Sequence, residues 1–222
     1  MFPLYDTTRT RGFPLVNWGL ILLNVLVFFG EIQISPGALQ NLIFTWGLIP
    51  VRFLGNPGET WETIFSAMFL HGGWFHVLSN MWVLFIFGDN VEARMGKMRY
   101  LIFYLLSGVA AGLLQTYLLP SSQVPMIGAS GAIAGVLGAY LILFPGSRIA
   151  SLVPVLFIFT LVELPAFIFL LFWFVLQLFS GWLAIQGGGG SGIAWWAHVG
   201  GFLFGMLMVS FFARRKSTYI SY

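Results

Sequence analysis

Apolar residues fall into six runs along the 222-residue chain, each about 15–20 residues long and so of a length suited to a bilayer-spanning helix. Charged residues are concentrated between the runs. We therefore predict an all-α membrane protein, a bundle of six transmembrane helices. The predicted spans are Leu15–Ile32, Trp74–Phe87, Tyr100–Leu119, Ser130–Phe144, Pro165–Phe179 and Trp195–Phe212.

Two connecting segments are themselves apolar. Gln33–Gly73 is a long external segment that contains tryptophans, so we expect it to lie in the membrane interface. Ala150–Leu164 is interrupted by Pro154 and has two interpretations. It lies along the cytoplasmic face, with Pro165 opening the fifth helix, or it extends that helix into one long kinked helix.

Basic residues predict the orientation of the spans. With six crossings, the residues on one side are Arg9, Arg11, Arg94, Lys97, Arg99, Arg148, Arg214, Arg215 and Lys216. Arg52 falls on the other side. The excess of positive charge on cytoplasmic loops then places both termini in the cytoplasm. We expect a tail at residues 1–14, a six-helix domain at 15–213 and a basic tail at 214–222.

Composition agrees with a membrane protein. Hydrophobic residues make up 59% and charged residues 8% of the chain, with a mean hydropathy of +0.90. Soluble domains carry about 25% charged residues. The basic residues lie at helix ends, so the sequence pI of 9.5 reflects topology and no nucleic-acid partner is expected. The first run lacks a signal-peptide cleavage site and is expected to be retained. The absence of cysteine excludes disulfides and leaves the redox compartment open.

Ionisable and nucleophilic side chains interrupt the apolar runs. His71, His76 and His198 each lie in a hydrophobic stretch, and Ser130 lies between glycines at the start of the fourth run. Ionisable groups at membrane depth are costly, which favours a functional site. A possible base, a nucleophile and hydrogen-bond donors together indicate an enzyme.

The fourth run is short. Ser130–Phe144 gives a helix of about 22 Å, less than the ~30 Å hydrocarbon core. The preceding loop, PSSQVPMIGA, must then dip into the protein and line a protected cavity. Ser130 would lie at the base of this cavity, at a helix N-terminus that favours negative charge.

The fourth and sixth runs carry small residues at four-residue spacing, which lets helices approach closely in lipid. These glycines are Gly131, Gly135, Gly138, Gly201 and Gly205. Both helices run in the same direction, so close packing brings His198 to Ser130 as a nucleophile–base pair requires. Packing glycines beside a stray histidine would be the alternative for either helix alone. The same glycine spacing recurs on both helices, and one helix carries a possible nucleophile while the other carries a possible base. This combination argues against the packing-only alternative.

His76 and Asn80 are four residues apart and share one face of the second helix. Both are donors suited to stabilising an oxyanion. For Asn80, a hydrogen bond to the backbone of another helix is an equal alternative. His71 is expected to anchor the preceding loop.

The runs HGGWFHVLSNMWVLFIFGDNVEARMG, GASGAIAGVLGAYLILFP and WWAHVGGFLFG resemble the signature segments of the rhomboid family of intramembrane serine proteases. The motifs are GxSG, HxxxN and AHxxGxxxG. The resemblance implies that Ser130 is the nucleophile and His198 the base, without a carboxylate partner or any metal or cofactor. It also implies an oxyanion hole of His76, Asn80 and the Ser130 N–H. The supporting residues are His71, Gly128, Gly131, Gly201 and Gly205.

By the same resemblance, the substrates are single-span membrane proteins that enter sideways from lipid and are cleaved near the outer end of their helix. The long external segment Gln33–Gly73 would be the family's half-inserted first loop, and the fifth helix and the loop after it would be a lateral gate and a cap. The protein is expected in a bacterial or archaeal cell membrane. Because the base must be neutral, activity is expected to fall as pH drops through about 6.5, the ordinary pKa of histidine.

Three features of the sequence depart from the family's pattern. Ala134 replaces an aromatic that often stacks on the histidine, and Trp61-Glu62 stands where a Trp-Arg pair is common. The cap segment Gln186–Gly192 is almost all glycine and serine and is either a mobile lid or an engineered linker.

Two other functions compete with the protease. A non-catalytic relative that binds membrane helices would generally lack the serine or the histidine, and both are present here. A transporter or channel would need charged or ion-coordinating residues along a path through the bilayer. The polar set here is confined to the outer half of the predicted bundle.

Overall fold

The computed structural model describes residues 1–8, 12–155, 158–186 and 192–214. Within them the elements are β1 (Phe2–Asp6), α1 (Leu15–Glu31), α2 (Pro36–Trp46), α3 (Pro50–Gly55), α4 (Pro57–Thr60), α5 (Thr63–Ser66), a 3-10 turn (Ala67–Phe69), α6 (Trp74–Met95), α7 (Lys97–Leu118), α8 (Ser130–Leu143), β2 (Arg148–Val155), β3 (Ile158–Pro165), α9 (Ala166–Gln186) and α10 (Trp195–Phe212). Most of the glycine-rich cap segment and the basic C-terminal tail, and with them Arg9 and Arg11, lie outside the described residues.

Within the described residues, six helices (α1, α6, α7, α8, α9 and α10) form the bundle, and α8 lies at its centre. The side chains of α8 are buried continuously from Gly131 to Leu141, against α6, α7, α9 and α10. In the described part of the chain, α7, α9 and α10 are long and apolar enough to cross a membrane. The shorter helices α1 and α8 are also apolar.

The second predicted span corresponds to α6, which continues beyond the predicted end at Phe87 to Met95. Its last turns are polar, but their side chains find partners inside the protein. Glu92 is 3% exposed and accepts the backbone N–H groups of Val16 and Asn17 at 3.2 and 2.7 Å. This carboxylate therefore satisfies the free N–H groups at the N-terminus of α1, where negative charge is also favoured by the helix dipole.

The all-α prediction is wrong in one respect, because the structure contains a three-stranded antiparallel sheet in the order β1-β2-β3. The Ala150–Leu164 segment forms most of the β2–β3 hairpin, so the alternative of a long kinked fifth helix is also wrong. The segment is rich in β-branched and aromatic residues, which favour strands. Pro154 lies beyond Leu152, the last residue paired with β1, where β2 has a single neighbour and tolerates a missing N–H. Pro165 ends β3, and α9 begins at the next residue.

The inner end of α8 is tied to the sheet by polar contacts. The hydroxyl of Tyr140 donates a hydrogen bond to Asp6 of β1, and Asn90 of α6 donates to the same carboxylate oxygen at 2.9 Å. Burial, assisted by the nearby charge of Asp89, raises the pKa of the Asp6 carboxyl to about 6. The segment predicted as an N-terminal tail thus contributes a strand that clamps α6 and α8 together.

The connection between α1 and α6 is built from short helices. Arg52 donates to the carbonyl oxygens of Phe44, Thr45 and Gly47, the last two at 3.1 and 2.9 Å, and so satisfies the end of α2. Leu48 exchanges two backbone hydrogen bonds with Met126, at 3.1 and 2.8 Å. This bridge joins the first connection to the segment that leads into α8.

Glycines bring α8 and α10 into backbone contact. A Cβ atom added at Gly201 would collide with the carbonyl oxygen of Gly131, and one at Gly205 with that of Gly135. A Cβ at Gly138 would in turn strike the carbonyl oxygen of Phe202. The small-residue spacing read from the sequence is therefore the seam along which these two helices pack.

Candidate active site

Ser130 and His198 meet at the outer ends of α8 and α10. The Oγ atom of Ser130 lies 2.8 Å from Nε2 of His198, a hydrogen-bond distance. Ser130 is the first residue of α8 and His198 lies in the first turn of α10. The glycine seam sets this distance, since a residue larger than glycine at Gly201 would strike the carbonyl oxygen of Gly131 and force α8 and α10 apart.

The opposite nitrogen of the His198 ring has a partner that sequence reasoning missed. Nδ1 lies 2.8 Å from Oε1 of Gln177, which is 6% exposed and belongs to α9. The rings of Trp173 and Trp195 flank the imidazole at centroid distances of 6.0 and 6.1 Å. The signal in the sequence was a single glutamine inside the predicted apolar run Pro165–Phe179, but it matches no motif.

His76 and Asn80 line the same cavity as Ser130 and His198. Nδ1 of His76 accepts the backbone N–H of Gly72 at a long 3.5 Å, which leaves Nε2 to carry the hydrogen of a neutral ring. The Nδ2 group of Asn80 donates to Nε2 of His71 at 3.1 Å, and its second hydrogen is available to the cavity. Two side-chain donors thus line the cavity that contains Ser130.

His71 is 1% exposed and connects three parts of the protein. Its Nδ1 lies 3.2 Å from the carbonyl oxygen of Phe69, and its Nε2 receives the Asn80 amide. Its backbone N–H donates to both carboxylate oxygens of Glu31 in α1, at 3.1 and 3.2 Å. The residue expected to anchor the loop therefore also orients the Asn80 side chain.

Gly128 lies directly against His76. A Cβ atom at this position would collide with the imidazole, and its φ of +114° is a conformation that other residues rarely adopt. Its N–H donates to the carbonyl oxygen of Ala67 at 2.8 Å. Glycine here lets the backbone before Ser130 pass close to the two donors.

The cavity has a volume of about 410 Å³ and is mainly apolar in its lining. Its polar lining includes His76, Asn80, Ser130 and His198, and the N–H of Ser130 lies in the first turn of α8 and has no acceptor within the helix. Three hydrogen-bond donors and a serine–histidine pair can together support nucleophilic acyl transfer. In the described part of the chain, no three His, Asp or Glu side chains come together as metal ligands.

Comparison with known proteins identifies the family. The Rhomboid domain model matches residues 57–215, well over half of the chain. YdcA of Bacillus subtilis is 31% identical over 134 residues, which cover 60% of this chain and 64% of YdcA. RHOMBOID-like protein 5 of Arabidopsis thaliana is 32% identical over 128 residues, covering 54% of this chain and 40% of that protein.

A further relative carries a protease name. Rhomboid protease GluP of Bacillus subtilis is 31% identical over 131 residues, which cover 59% of this chain and 25% of GluP. The matched region is less than two thirds of the length of each of these three relatives. Together with the domain match, these similarities show that the chain is an integral membrane protein of the rhomboid family, whose matched members include a named protease.

Proposed function

We propose that this protein is an intramembrane serine endopeptidase that uses Ser130 as nucleophile and His198 as general base. The observation that carries the proposal is the 2.8 Å contact between Oγ of Ser130 and Nε2 of His198 inside a cavity that also presents His76 and Asn80. Family membership supports protease activity in general. The arrangement of the side chains supports these individual roles.

The reaction follows from the geometry. Nε2 of His198 takes the proton of Ser130 as Oγ bonds to the scissile carbonyl carbon, giving a tetrahedral oxyanion. Donors from His76, Asn80 and the Ser130 N–H stabilise that oxyanion. The protonated His198 then gives its proton to the leaving amine, and an acyl-enzyme remains. Water activated by the same base hydrolyses the ester and restores Ser130.

We further propose six spans, formed by α1, α6, α7, α8, α9 and α10, with both termini in the cytoplasm. The sheet supports an even number of crossings between Asp6 and Arg148, because β1 pairs with β2 and the two strands must lie on the same side. The positions of the basic residues support the same arrangement. The six-helix domain would span residues 15–213.

The substrates would be single-span membrane proteins entering sideways past α9. Within the most apolar part of α9, 22% of residues are buried in the protein, against 44% for α7 and 39% for α10. Of these three helices, α9, which contacts His198 through Gln177, is thus the least buried in the protein. A mainly apolar cavity suits a locally unwound transmembrane segment with small side chains. Residence in a bacterial or archaeal cell membrane stays a prediction, since the matched relatives come from bacteria and plants alike.

The test is reconstitution of the wild type, Ser130→Ala and His198→Ala with a single-span substrate, with fluorophosphonate labelling in parallel. We expect each substitution to lower the cleavage rate by about 10⁴-fold or more, and Ser130→Ala to abolish labelling. The matched control is Ser121→Ala, which changes an exposed serine in the connection between α7 and α8 and should retain both activities.

Cleavage by Ser130→Ala would refute the proposed nucleophile. If the wild type binds single-span helices but neither cleaves nor labels, a non-catalytic helix-binding role replaces the protease.

A further inference from the structure

The contact between Gln177 and His198 determines which nitrogen of the catalytic imidazole carries the hydrogen. Its Oε1 lies 2.8 Å from Nδ1 of His198, and an amide oxygen only accepts hydrogen bonds. A neutral imidazole carries a hydrogen on one nitrogen. Placing it on Nδ1 leaves the lone pair of Nε2 facing Oγ of Ser130, as a general base requires.

The orientation of the Gln177 amide is fixed independently of His198. Its Nε2 group lies 3.3 Å from the carbonyl oxygen of Trp173, one turn earlier in α9. A carbonyl can only accept, so the NH₂ end must face Trp173 and the oxygen must face the imidazole. The contact with Trp173 satisfies only the donor end, and the acceptor end of this buried side chain is satisfied by His198.

α9 also contacts the His198 ring in a second way. Trp173 presents its ring at 34° to the imidazole, while the α8 residue one turn after Ser130 is Ala134, too short to stack on the ring. The glycine seam fixes the backbones of α8 and α10, but it does not fix rotation of the His198 ring. Alongside Ser130 of α8 and Trp195 of α10, the ring is contacted by Gln177 and Trp173 of α9, and Gln177 is the partner of Nδ1.

We propose that Gln177 is a positioning residue that selects the Nδ1–H tautomer of His198 and makes the base competent only while α9 is seated against α10. This inference rests on the proposed serine–histidine function. Displacing α9 by about 1 Å would lengthen a 2.8 Å hydrogen bond beyond its normal range. While a substrate enters past α9, the His198 ring would therefore not be held in the Nδ1–H tautomer. Attack by Ser130 would follow only after α9 returns to its contact with α10.

The experiment measures the tautomer and the kinetics on the full chain. The chain has three histidines, so ¹⁵N-histidine NMR with His198→Ala as the assignment variant resolves the ring of interest. At a pH where the ring is neutral, we expect wild-type His198 to carry its hydrogen on Nδ1. Gln177→Met, similar in length but without an acceptor, should lose that preference. It should also lower kcat by about 10- to 100-fold, as removal of a hydrogen-bond partner of a functional histidine does, with little change in KM.

Two further variants separate positioning from packing. Gln177→Glu keeps an oxygen acceptor at the same length and should retain the Nδ1–H tautomer and most of kcat. Gln115→Met is the matched control, because Gln115 is also a buried glutamine and contacts α10 next to His198, at the Ala197 N–H, 3.1 Å away. It should leave the tautomer unchanged.

The outcomes distinguish the two proposals. An unchanged tautomer and kcat in Gln177→Met would overturn the inference, as would equal losses in the Met and Glu variants. If the wild type has no protease activity but Gln177→Met still shifts the tautomer, the proposed function fails while the contact and its effect on the ring stand.

Discussion

The two neighbours of α10 contact it in different ways. α8 meets α10 through glycines, and its backbone carbonyl oxygens occupy the space where side chains would lie. α9 meets α10 through large side chains, including the ring of Phe174 stacked on Phe202 at 4.6 Å. Backbone contact leaves little room for relative movement, whereas aromatic side chains can change rotamer and separate.

This difference divides the proposed chemistry between a rigid part and a displaceable part. The rigid part holds Ser130 and the backbone of His198 at a fixed separation. The displaceable part, α9, carries Gln177, which holds the far nitrogen of the ring. Substrate access and alignment of the base are therefore expected to compete. Two stability measurements compare the two sides of α10, and a third tests the inner end of α8.

The largest effect is expected on the glycine seam. Gly201→Val places a side chain against the carbonyl oxygen of Gly131, and backbone cannot move aside cheaply, so we expect a loss of about 2–4 kcal/mol in unfolding free energy. At Gly181 of α9, an added Cβ would lie 3.0 Å from the Trp196 side chain, which can shift, so Gly181→Val should cost less. Unfolding in mixed micelles measures both.

Gly19→Val serves as the control for these two substitutions. It adds the same side chain to α1, where nothing lies within 4 Å of the added Cβ, and should change stability little. Equal losses for Gly201→Val and Gly181→Val would remove the distinction between the two interfaces.

A smaller effect is expected from the aromatic contact. Phe174→Ala removes the stacked pair with Phe202 and should lower the unfolding free energy by about 1 kcal/mol, because lipid can refill part of the space. Phe172→Ala is the control, since Phe172 is 48% exposed on the outer side of the same helix. A loss from Phe174→Ala as large as that from Gly201→Val would show that α9 is as firmly held as α8.

The smallest effect is expected at the inner end of α8, where Asp6 bonds to Tyr140. The folded-state pKa of Asp6, about 6, lies above its ordinary 3.8, so folding favours the protonated carboxyl. Its contribution to stability is complete below pH 3.8 and is lost as pH rises through 6. Asp6→Asn should make the dependence of the unfolding free energy on pH less steep between pH 4 and pH 7.

Glu163→Gln is the matched control for Asp6→Asn. It removes an exposed carboxylate of β3 near Arg148 and should keep the wild-type slope. A slope as steep in Asp6→Asn as in the wild type would mean that Asp6 does not contribute to the pH dependence.

The sequence predicted the helices of the bundle because long apolar runs and glycine spacing are local signals. The α10 run was predicted with the same ends as the observed Trp195–Phe212. The hairpin was missed because an apolar run as short as Ala150–Leu164 fits a buried strand and a buried helix equally well. Its pairing with Phe2–Asp6 is a contact between distant segments that periodicity does not reveal.

The residues of the candidate site also divide into those that the sequence predicted and one that it did not. Ser130 and His198 stand in glycine-flanked motifs, and their 2.8 Å contact follows from the small-residue seam that the spacing predicts. Gln177 has no such motif, and it lies 21 residues before His198 on a different helix. Only the packing of α9 against α10 brings the two side chains together.

The pairing of β1 with β2 has a consequence for biogenesis. Phe2 of β1 pairs with Leu152 of β2, so β1 is synthesised about 150 residues before the strand with which it pairs. During that interval β1 exposes unpaired backbone groups while the intervening helices are inserted. The sheet, together with the polar contacts of Asp6, is therefore completed late, and mistakes in the insertion of the first helices would leave β1 without its partner.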